Sequence, residues 1–179
     1  AKAQPGKLSY ASYGAGSAGH IASELIMSMA GVDMVHVPYK GSGPAIVDVM
    51  GNQVSMLLAT VAACVGVAKE RKVKAVAVTS SKRVAALPNV PTVAESGLAN
   101  YELVEWEAIQ APTGTPKDVI HTLNKALREV VSIPEVREKM ATLGNEPDAS
   151  KSPAEVGAFV QKERDKYAKI VKDRGIKLQ

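Results

Sequence analysis

Hydrophobic and polar positions in the first hundred residues alternate between two regular patterns. Short stretches typical of strands occur at residues 8–13, 34–39, 53–59 and 73–79. Stretches with helical spacing lie between them: one carries Ile21, Leu25 and Met29 and stops at Gly31, a short one runs from Pro44 to Met50, and a third covers residues 61–71. This alternation predicts an α/β fold with a mainly parallel sheet and helices on both of its faces.

The chain after residue 80 follows a different pattern. Residues 80–100 contain two prolines and are expected to be irregular, and residues 101–110 resume as a partly alternating strand. Beyond them the pattern is helical. Two helix starts combine a capping residue, a proline in the first turn and an acidic residue at capping-box spacing: Thr115-Pro116-Asp118 and Ser152-Pro153-Glu155.

The last predicted helix carries an apolar stripe and ends near Arg174-Gly175. Its stripe consists of Val156, Phe159, Tyr167 and Ile170. A helix with such a face needs another surface to cover it. Since few strands remain in this part of the chain, the sequence predicts that a sheet to cover this stripe is missing.

Composition and charge narrow the possible functions. Hydrophobic residues make up 46% and charged residues 22%, which excludes general disorder. The net charge is +4, yet the dense basic run at residues 69–74 includes Glu70 and lacks aromatic residues. A solvated helix end is therefore favoured over a nucleic-acid site. A mild positive balance favours the approach of anionic solutes.

Cysteine and histidine usage argues against redox and metal chemistry. The sequence has one cysteine, Cys64, which excludes an internal disulfide and a Cys-based metal cluster, and we expect it to be a buried structural thiol. His20, His36 and His121 show no metal-ligand spacing. We therefore predict neither a metal nor a cofactor. Trp106 either lines a pocket or plugs the sheet, and the sequence leaves both alternatives open.

Residues 14–19 form the most distinctive motif, G-x-G-x-x-G, between a predicted strand and a predicted helix. This spacing occurs in dinucleotide-binding folds, and an acidic residue, Asp33, follows about twenty positions later. In such folds the acid follows the second strand, whereas Asp33 precedes it. Three interpretations stay open: a dinucleotide site, which would make the chain a small enzyme using a phosphorylated cofactor, a structural tight turn, and an anion site. The anion site is favoured.

The start of the helix after the glycine loop offers simple chemistry for a carboxylate. Amide N–H groups near Gly16, Ser17 and Ala18 would be free, the helix dipole favours negative charge, and the Ser17 hydroxyl adds a donor. His20 has no acidic partner that would make it a catalytic base with Ser17, so we expect it to hydrogen-bond within the loop. Similar helix starts follow at residues 40–43 and at Thr60. In an open α/β sheet these three loops converge at one edge.

Several short motifs occur in order along the whole chain. They are Pro5-Gly6-Lys7-Leu8 with Tyr10-Ala11-Ser12, Gly14-x-Gly16-Ser17-x-x-His20, His36-Val37-Pro38-Tyr39-Lys40-Gly41, Ala77-Val78-Thr79-Ser80, Leu87-Pro88-x-Val90-Pro91-Thr92-x-x-Glu95-x-Gly97, Ala111-Pro112-x-Gly114-Thr115-Pro116 and Gly175-Ile176-Lys177. Together they resemble the Bug-type solute receptors of tripartite tricarboxylate transporters. The resemblance implies a periplasmic, non-enzymatic protein with a type II periplasmic binding protein-like fold. Its two α/β lobes would close on a small organic carboxylate, and its partners would be the membrane components of the transporter.

The resemblance also implies how the chain is organised. Residues 1–103 would form the second, ligand-binding lobe. The chain would lack the N-terminal third of such a receptor, so residues 104–179 would return to an incomplete first lobe, and the exposed remainder would favour self-association. The family's carboxylate loop maps onto Ser12, Gly14, Ala15, Gly16 and Ser17, beside the loop-shaping His20, with support from Tyr39, Lys40, Gly41 and Thr60. Two departures, Ala108 in place of a usual glycine and Leu57-Leu58 in place of a stretch that often contains Phe, affect the expected pocket shape.

Overall fold

The computed structural model describes residues 1–175, apart from the side chain of Arg174. The elements in chain order are β1 (Ser9–Ser12), α1 (Ala18–Ala30), β2 (Val35–Pro38), α2 (Ser42–Met50), β3 (Met56–Leu57), α3 (Val61–Lys69), α4 (Lys117–Ser132), α5 (Pro134–Thr142) and α6 (Pro153–Arg174). The predicted terminal motif Ile176-Lys177 lies outside the described residues. Among residues 1–175, no helix combines the length and the apolar character that a membrane span requires.

Strand β1 lies at the centre of the sheet. In the described part of the chain the sheet has three parallel strands in the order β2-β1-β3. Neighbouring side chains of a strand point to opposite faces. Tyr10 reaches Glu24 of α1, whereas Ala11 packs with Ala45 of α2, and both β1 side chains are fully buried. Helices therefore cover both faces, which confirms the predicted α/β fold class with a parallel sheet.

The predicted strand at residues 73–79 does not form. This segment makes a single parallel bridge, in which the Val78 N–H donates to the Pro91 carbonyl at 2.9 Å and the Val93 N–H donates to the Val78 carbonyl at 2.9 Å. Pro91 has no N–H with which to extend the ladder. Val76 is 70% exposed, so burial does not favour a longer pairing either.

The predicted strand at residues 101–110 is also wrong. The start of its alternating pattern does correspond to a buried face, because the side chains of Tyr101 and Leu103 are buried. The Leu103 N–H donates to the Thr79 carbonyl at 3.1 Å, but no continuous ladder follows within the described residues. Ile109, near the end of the segment, is exposed. Alternation without a neighbouring strand gives an extended segment and not a sheet strand.

One of the two predicted capping boxes is confirmed. At the start of α6, the Glu155 N–H donates to Ser152 Oγ at 3.3 Å, and the Ser152 N–H donates to Glu155 Oε2 at 2.8 Å. At α4 the prediction is wrong, because Pro116 occupies the cap position and no side chain caps the helix. The hydroxyl of Thr115 is one residue too early and donates to the Pro112 carbonyl at 2.8 Å.

Two apolar clusters hold the helices in place. The first joins α1 to the irregular segment that follows α3, and its buried members are Ile21, Ala22, Val93, Tyr101 and Leu103. Within it, the Tyr101 hydroxyl donates to the Ala22 carbonyl at 3.1 Å. The second lies between the sheet and α2, and its buried members are Ala11, Ala45 and Val54. The glycine loop, residues 13–17, connects β1 to α1.

Half of the apolar stripe on α6 is covered, contrary to the expectation. Tyr167 and Ile170 pack against the first cluster, and the Tyr167 hydroxyl donates to the Val104 carbonyl at 3.1 Å. The other half stays more open: Phe159 is partly exposed and meets Trp106 edge to face at 5.5 Å between ring centroids. The expectation failed because it assigned the covering surface to a sheet, whereas α1 supplies it.

Candidate functional site

The loop between β1 and α1 is held by hydrogen bonds among its own residues. Ser12 Oγ donates to the Gly14 carbonyl at 2.9 Å, and Ser17 Oγ donates to the same carbonyl at 2.7 Å. Ser17 Oγ in turn accepts from the His20 N–H at 3.3 Å, so Ser17 is the N-cap of α1. A serine after a glycine-rich turn is well suited to this role because its short side chain reaches the first helical amides.

The side chain of His20 holds the loop in place at Gly16. The Gly16 N–H donates to His20 Nδ1 at 3.0 Å, which confirms the prediction that His20 hydrogen-bonds within the loop. Gly16 adopts a left-handed φ of 74°, which favours glycine at this position. The imidazole is buried and stacks on that of His36 with 3.9 Å between ring centroids. The loop therefore rests on a pair of stacked histidines.

The predicted set of free amides is partly wrong. The Gly16 N–H is taken by His20, and the Ser17 N–H donates to the Gly14 carbonyl at 3.2 Å. Within residues 1–175, the amides of Ala15 and Ala18 make no hydrogen bond to the protein. Both residues are half-buried. Two N–H groups at the positive end of the α1 dipole are thus available to an anion.

The loop after β2 is tied to the glycine loop. The Tyr39 N–H donates to the Ser12 carbonyl at 2.9 Å, and the Gly41 N–H donates to the Tyr13 carbonyl at 3.1 Å. The Tyr39 hydroxyl turns away and donates to Asp48 Oδ2 at 2.6 Å. Lys40 is exposed and makes no ion pair with any described residue. This edge therefore carries a cation that a carboxylate could pair with.

The loop after β3 completes the same edge. Thr60 Oγ1 accepts from the Ala63 N–H at 3.3 Å and so caps α3. Gly19 of α1 packs directly against the carbonyl oxygen of Leu58, which brings the β3 loop next to the glycine loop. Parallel neighbouring strands place their carboxyl ends at one edge. The predicted convergence of the three loops is therefore found, with α1, α2 and α3 all beginning there.

Sequence reasoning missed several residues that build this site. Tyr13 accepts from the Gly19 N–H at 3.0 Å and donates to Glu105 Oε2 at 3.1 Å, and burial together with Glu105 raises its pKa to about 12. His36 lies in β2 with its Nε2 2.8 Å from Ser12 Oγ. The alternating pattern of β2 was sufficient to predict that His36 lies on the α1 face of the sheet. Nothing in the sequence indicated that His36 stacks on His20.

The three remaining candidates are Asp33, Cys64 and Trp106. Asp33 falls between α1 and β2, at the edge opposite to the glycine loop, where it could not hold the ribose of a dinucleotide. Cys64 is half-buried in α3, and burial raises the pKa of its thiol, which disfavours the reactive thiolate. Trp106 packs on Phe159 of α6. The cysteine was expected to be a buried structural thiol, and its intermediate exposure makes that expectation only partly correct.

Two histidines near the glycine loop, the buried His20 and the half-buried His36, make stability depend on pH. Burial lowers the pKa of His20 below 6.5, and burial together with the nearby His20 does the same for His36. The unfolded chain then binds more protons than the folded chain as the pH falls below about 6.5. We expect the free energy of unfolding to be constant above that pH and to decrease below it.

Urea unfolding measured at several pH values would test this dependence. The variant His36→Gln should reduce the slope, whereas His121→Asn, on the surface of α4, should retain it. An unchanged slope in His36→Gln would show that another group is responsible.

Comparison with known proteins places this arrangement in a family. A family model described as the tripartite tricarboxylate transporter family receptor matches residues 1–176. The UPF0065 protein in the tcbD-tcbE intergenic region of Pseudomonas sp. (strain P51) is 36% identical over 172 residues, which cover 96% of this chain and 51% of that protein. Protein BugT of Bordetella pertussis is 33% identical over 178 residues, covering 99% and 54%. The chain thus spans about half the length of these relatives.

Solved structures of solute-binding proteins also resemble this chain. The R. palustris protein Rpa4515 with adipate has a TM-score of 0.90 and 31% identity, and the match covers 98% of this chain and 58% of that one. The periplasmic binding protein BugD has a TM-score of 0.84 and 34% identity, with 99% and 60% covered. The resemblance carried by the sequence motifs is confirmed. The chain therefore belongs to the tripartite tricarboxylate transporter receptor family.

Proposed function

We propose that the edge formed by the three loops binds a small organic carboxylate, and that the protein delivers it in the periplasm to the membrane components of a tripartite transporter. The observation that carries this proposal is the pair of unoccupied amides, Ala15 and Ala18, at the start of α1. Helix N-termini bind anions through such amides and through the helix dipole. A receptor needs no chemistry beyond this binding.

The site would hold its ligand mainly with neutral donors. The free amides of Ala15 and Ala18 would donate to the carboxylate, and Lys40 in the loop after β2 would supply one positive charge. The Ser17 hydroxyl, which now donates to the Gly14 carbonyl, can turn its proton to the ligand while its oxygen still accepts from His20. The other predicted site residues would shape the loops, largely through internal hydrogen bonds. They are Ser12, Gly14, Gly16, His20, Tyr39, Gly41 and Thr60.

The relatives support the substrate class and the organisation. The matched R. palustris proteins were solved with adipate and, for MatC at 28% identity and a TM-score of 0.80, with malate. We assign residues 1–103 to the second, ligand-binding lobe and residues 104–179 to a segment that returns to the first lobe. Since the first cluster joins both parts through Tyr167 and Leu103, the boundary is an extended segment and not a free linker.

A thermal-shift screen tests the proposed function directly. Mono-, di- and tricarboxylates, including adipate and malate, should raise the melting temperature, because a ligand that binds the native state alone stabilises it. The corresponding neutral amides serve as controls, since they keep the shape and lose the charge. Nicotinamide and flavin nucleotides should give no shift. A shift with nucleotides and none with carboxylates would favour an enzyme that uses a phosphorylated cofactor.

Substitution of Ser17 separates ligand binding from helix capping. We expect Ser17→Ala to weaken carboxylate binding by about 10- to 100-fold, the loss of one hydrogen bond to a charged group. Ser152→Ala removes a serine cap of the same chemistry from α6, so it should lower stability by about 1 kcal/mol without changing affinity. Titration calorimetry of both variants makes the comparison. If Ser17→Ala, Ser152→Ala and the unmodified chain all bind the carboxylate with equal affinity, Ser17 is not part of the binding site.

Exposed apolar residues on α4 predict self-association. No residue of α4 is buried, and Val119, Leu123 and Val130 are between 41% and 49% exposed along this helix. Such faces tend to be covered by a partner, here a second copy of the chain. Light scattering coupled to size exclusion should give a mass above 18.8 kDa. Leu123→Lys should restore the monomer, whereas Val76→Lys, at another exposed valine, should not; a monomer without any substitution contradicts the prediction.

A further inference from the structure

Four side chains beneath the glycine loop form a connected cluster with ionisable groups on three elements. The ring of His36 from β2 lies between those of Tyr10 from β1 and His20 from α1, with centroid distances of 4.8 and 3.9 Å. Glu24, one turn after His20, accepts from the Tyr10 hydroxyl at 2.6 Å, and its Oε1 lies 3.8 Å from His20 Nε2. The cluster contacts the loop at the Gly16 amide and at Ser12.

The hydrogen bonds assign a neutral form to His20. Its Nδ1 accepts from the Gly16 N–H, so the ring proton is on Nε2, facing Glu24. A second proton would have to bind Nδ1, where the Gly16 N–H already points. Two donors cannot share that position, so protonation breaks the bond. The peptide unit that joins the Ala15 carbonyl to the Gly16 N–H must then rotate, which changes the conformation of the loop.

His20 is the member of the stacked pair that would take the first proton. Glu24 supplies the nearby negative charge and is closest to His20, and once His20 is charged, the stacked His36 is disfavoured as a second site. Helix α6, which also packs on α1, does so through Tyr167, Ile170 and Val171. Among the described residues, no group on α6 acts on the pKa of either histidine.

We propose that His20 is a positioning residue that makes the ligand loop sensitive to protons: neutral His20 holds the Gly16 amide and keeps the loop ready for a carboxylate, and protonation at Nδ1 releases the loop and weakens binding. This inference rests on the proposed function for its second half. Its first half, the link between His20 and the loop, concerns the chain alone. The expected consequence is capture of ligand at neutral pH and release in acid.

A nuclear magnetic resonance titration without ligand tests the link. On going from about pH 7.5 to about pH 5, the Nδ1 resonance of His20 and the amide resonance of Gly16 should shift with one common midpoint. His20→Asn keeps an acceptor near the Nδ1 position and does not titrate, so its Gly16 amide should not move in this range. A Gly16 amide that ignores the titration of His20, or titration of His36 alone, would overturn the proposal.

Affinity measurements test the consequence for binding. With adipate as the probe, the unmodified chain should lose about tenfold more affinity over the same pH range than His20→Asn, the loss expected for one charge-assisted hydrogen bond. Since adipate titrates equally in both experiments, the difference isolates His20. His121→Asn should behave like the unmodified chain. Equal pH dependence in all three would overturn the proposal, whereas an absence of carboxylate binding at every pH would refute the proposed function and leave the amide titration to decide the link.

Discussion

The variant Gly19→Ala should lower the free energy of unfolding by about 3 kcal/mol, because the added methyl group would overlap atoms that cannot move away. A Cβ at this position would lie 2.5 Å from the carbonyl oxygen of Leu58 and 2.7 Å from a ring carbon of Tyr13. The first contact is with backbone at the end of β3. The second is with the tyrosine whose hydroxyl accepts from the Gly19 N–H. Relief of the overlap would separate α1 from the β3 loop.

Gly66→Ala is the matched control for Gly19→Ala. Gly66 also lies within a helix, α3, but a Cβ there would meet no atom within 4 Å. Alanine should therefore stabilise the chain by about 0.5 to 1 kcal/mol through its higher helix propensity. Chemical denaturation followed by circular dichroism measures both variants. Similar stabilities for the two would mean that α1 does not approach residue 58 as closely as described.

The variant Leu103→Ala should cost about 3 kcal/mol, the typical loss for a leucine removed from a packed core. Leu103 is 2% exposed and packs with Ile21 and Ala22 of α1 in the first cluster. It lies in a segment without regular secondary structure, so its stability depends on side-chain packing and on the single hydrogen bond to Thr79. Loss of the side chain should therefore also loosen the contact between α1 and α6.

Ile109→Ala provides the comparison within the same extended segment. Ile109 is 74% exposed, and its truncation should change stability by less than about 0.5 kcal/mol. Urea unfolding of both variants would give the two values. If Ile109→Ala costs as much as Leu103→Ala, the assignment of the buried face of this segment is wrong.

The sequence by itself determined the local parts of the site. The period of apolar residues gave β1, α1 and β2, and the chemistry of caps gave Ser152, because both signals depend on neighbours within four residues. Parallel pairing then places the loops at one edge. The convergence of the three loops therefore followed from local patterns together with one topological rule.

Tertiary structure alone decided which backbone N–H groups of the glycine loop remain free and which of the predicted strands form. His20 and His36 are sixteen residues apart, and they stack because β2 pairs beside β1 under α1. The Gly16 N–H is not free because it donates to His20 Nδ1. Pro91 ends the pairing of residues 73–79, although their own pattern is that of a strand. Part of the apolar stripe on α6 packs against α1. Each outcome depends on contacts between segments distant in sequence, which local periodicity does not encode.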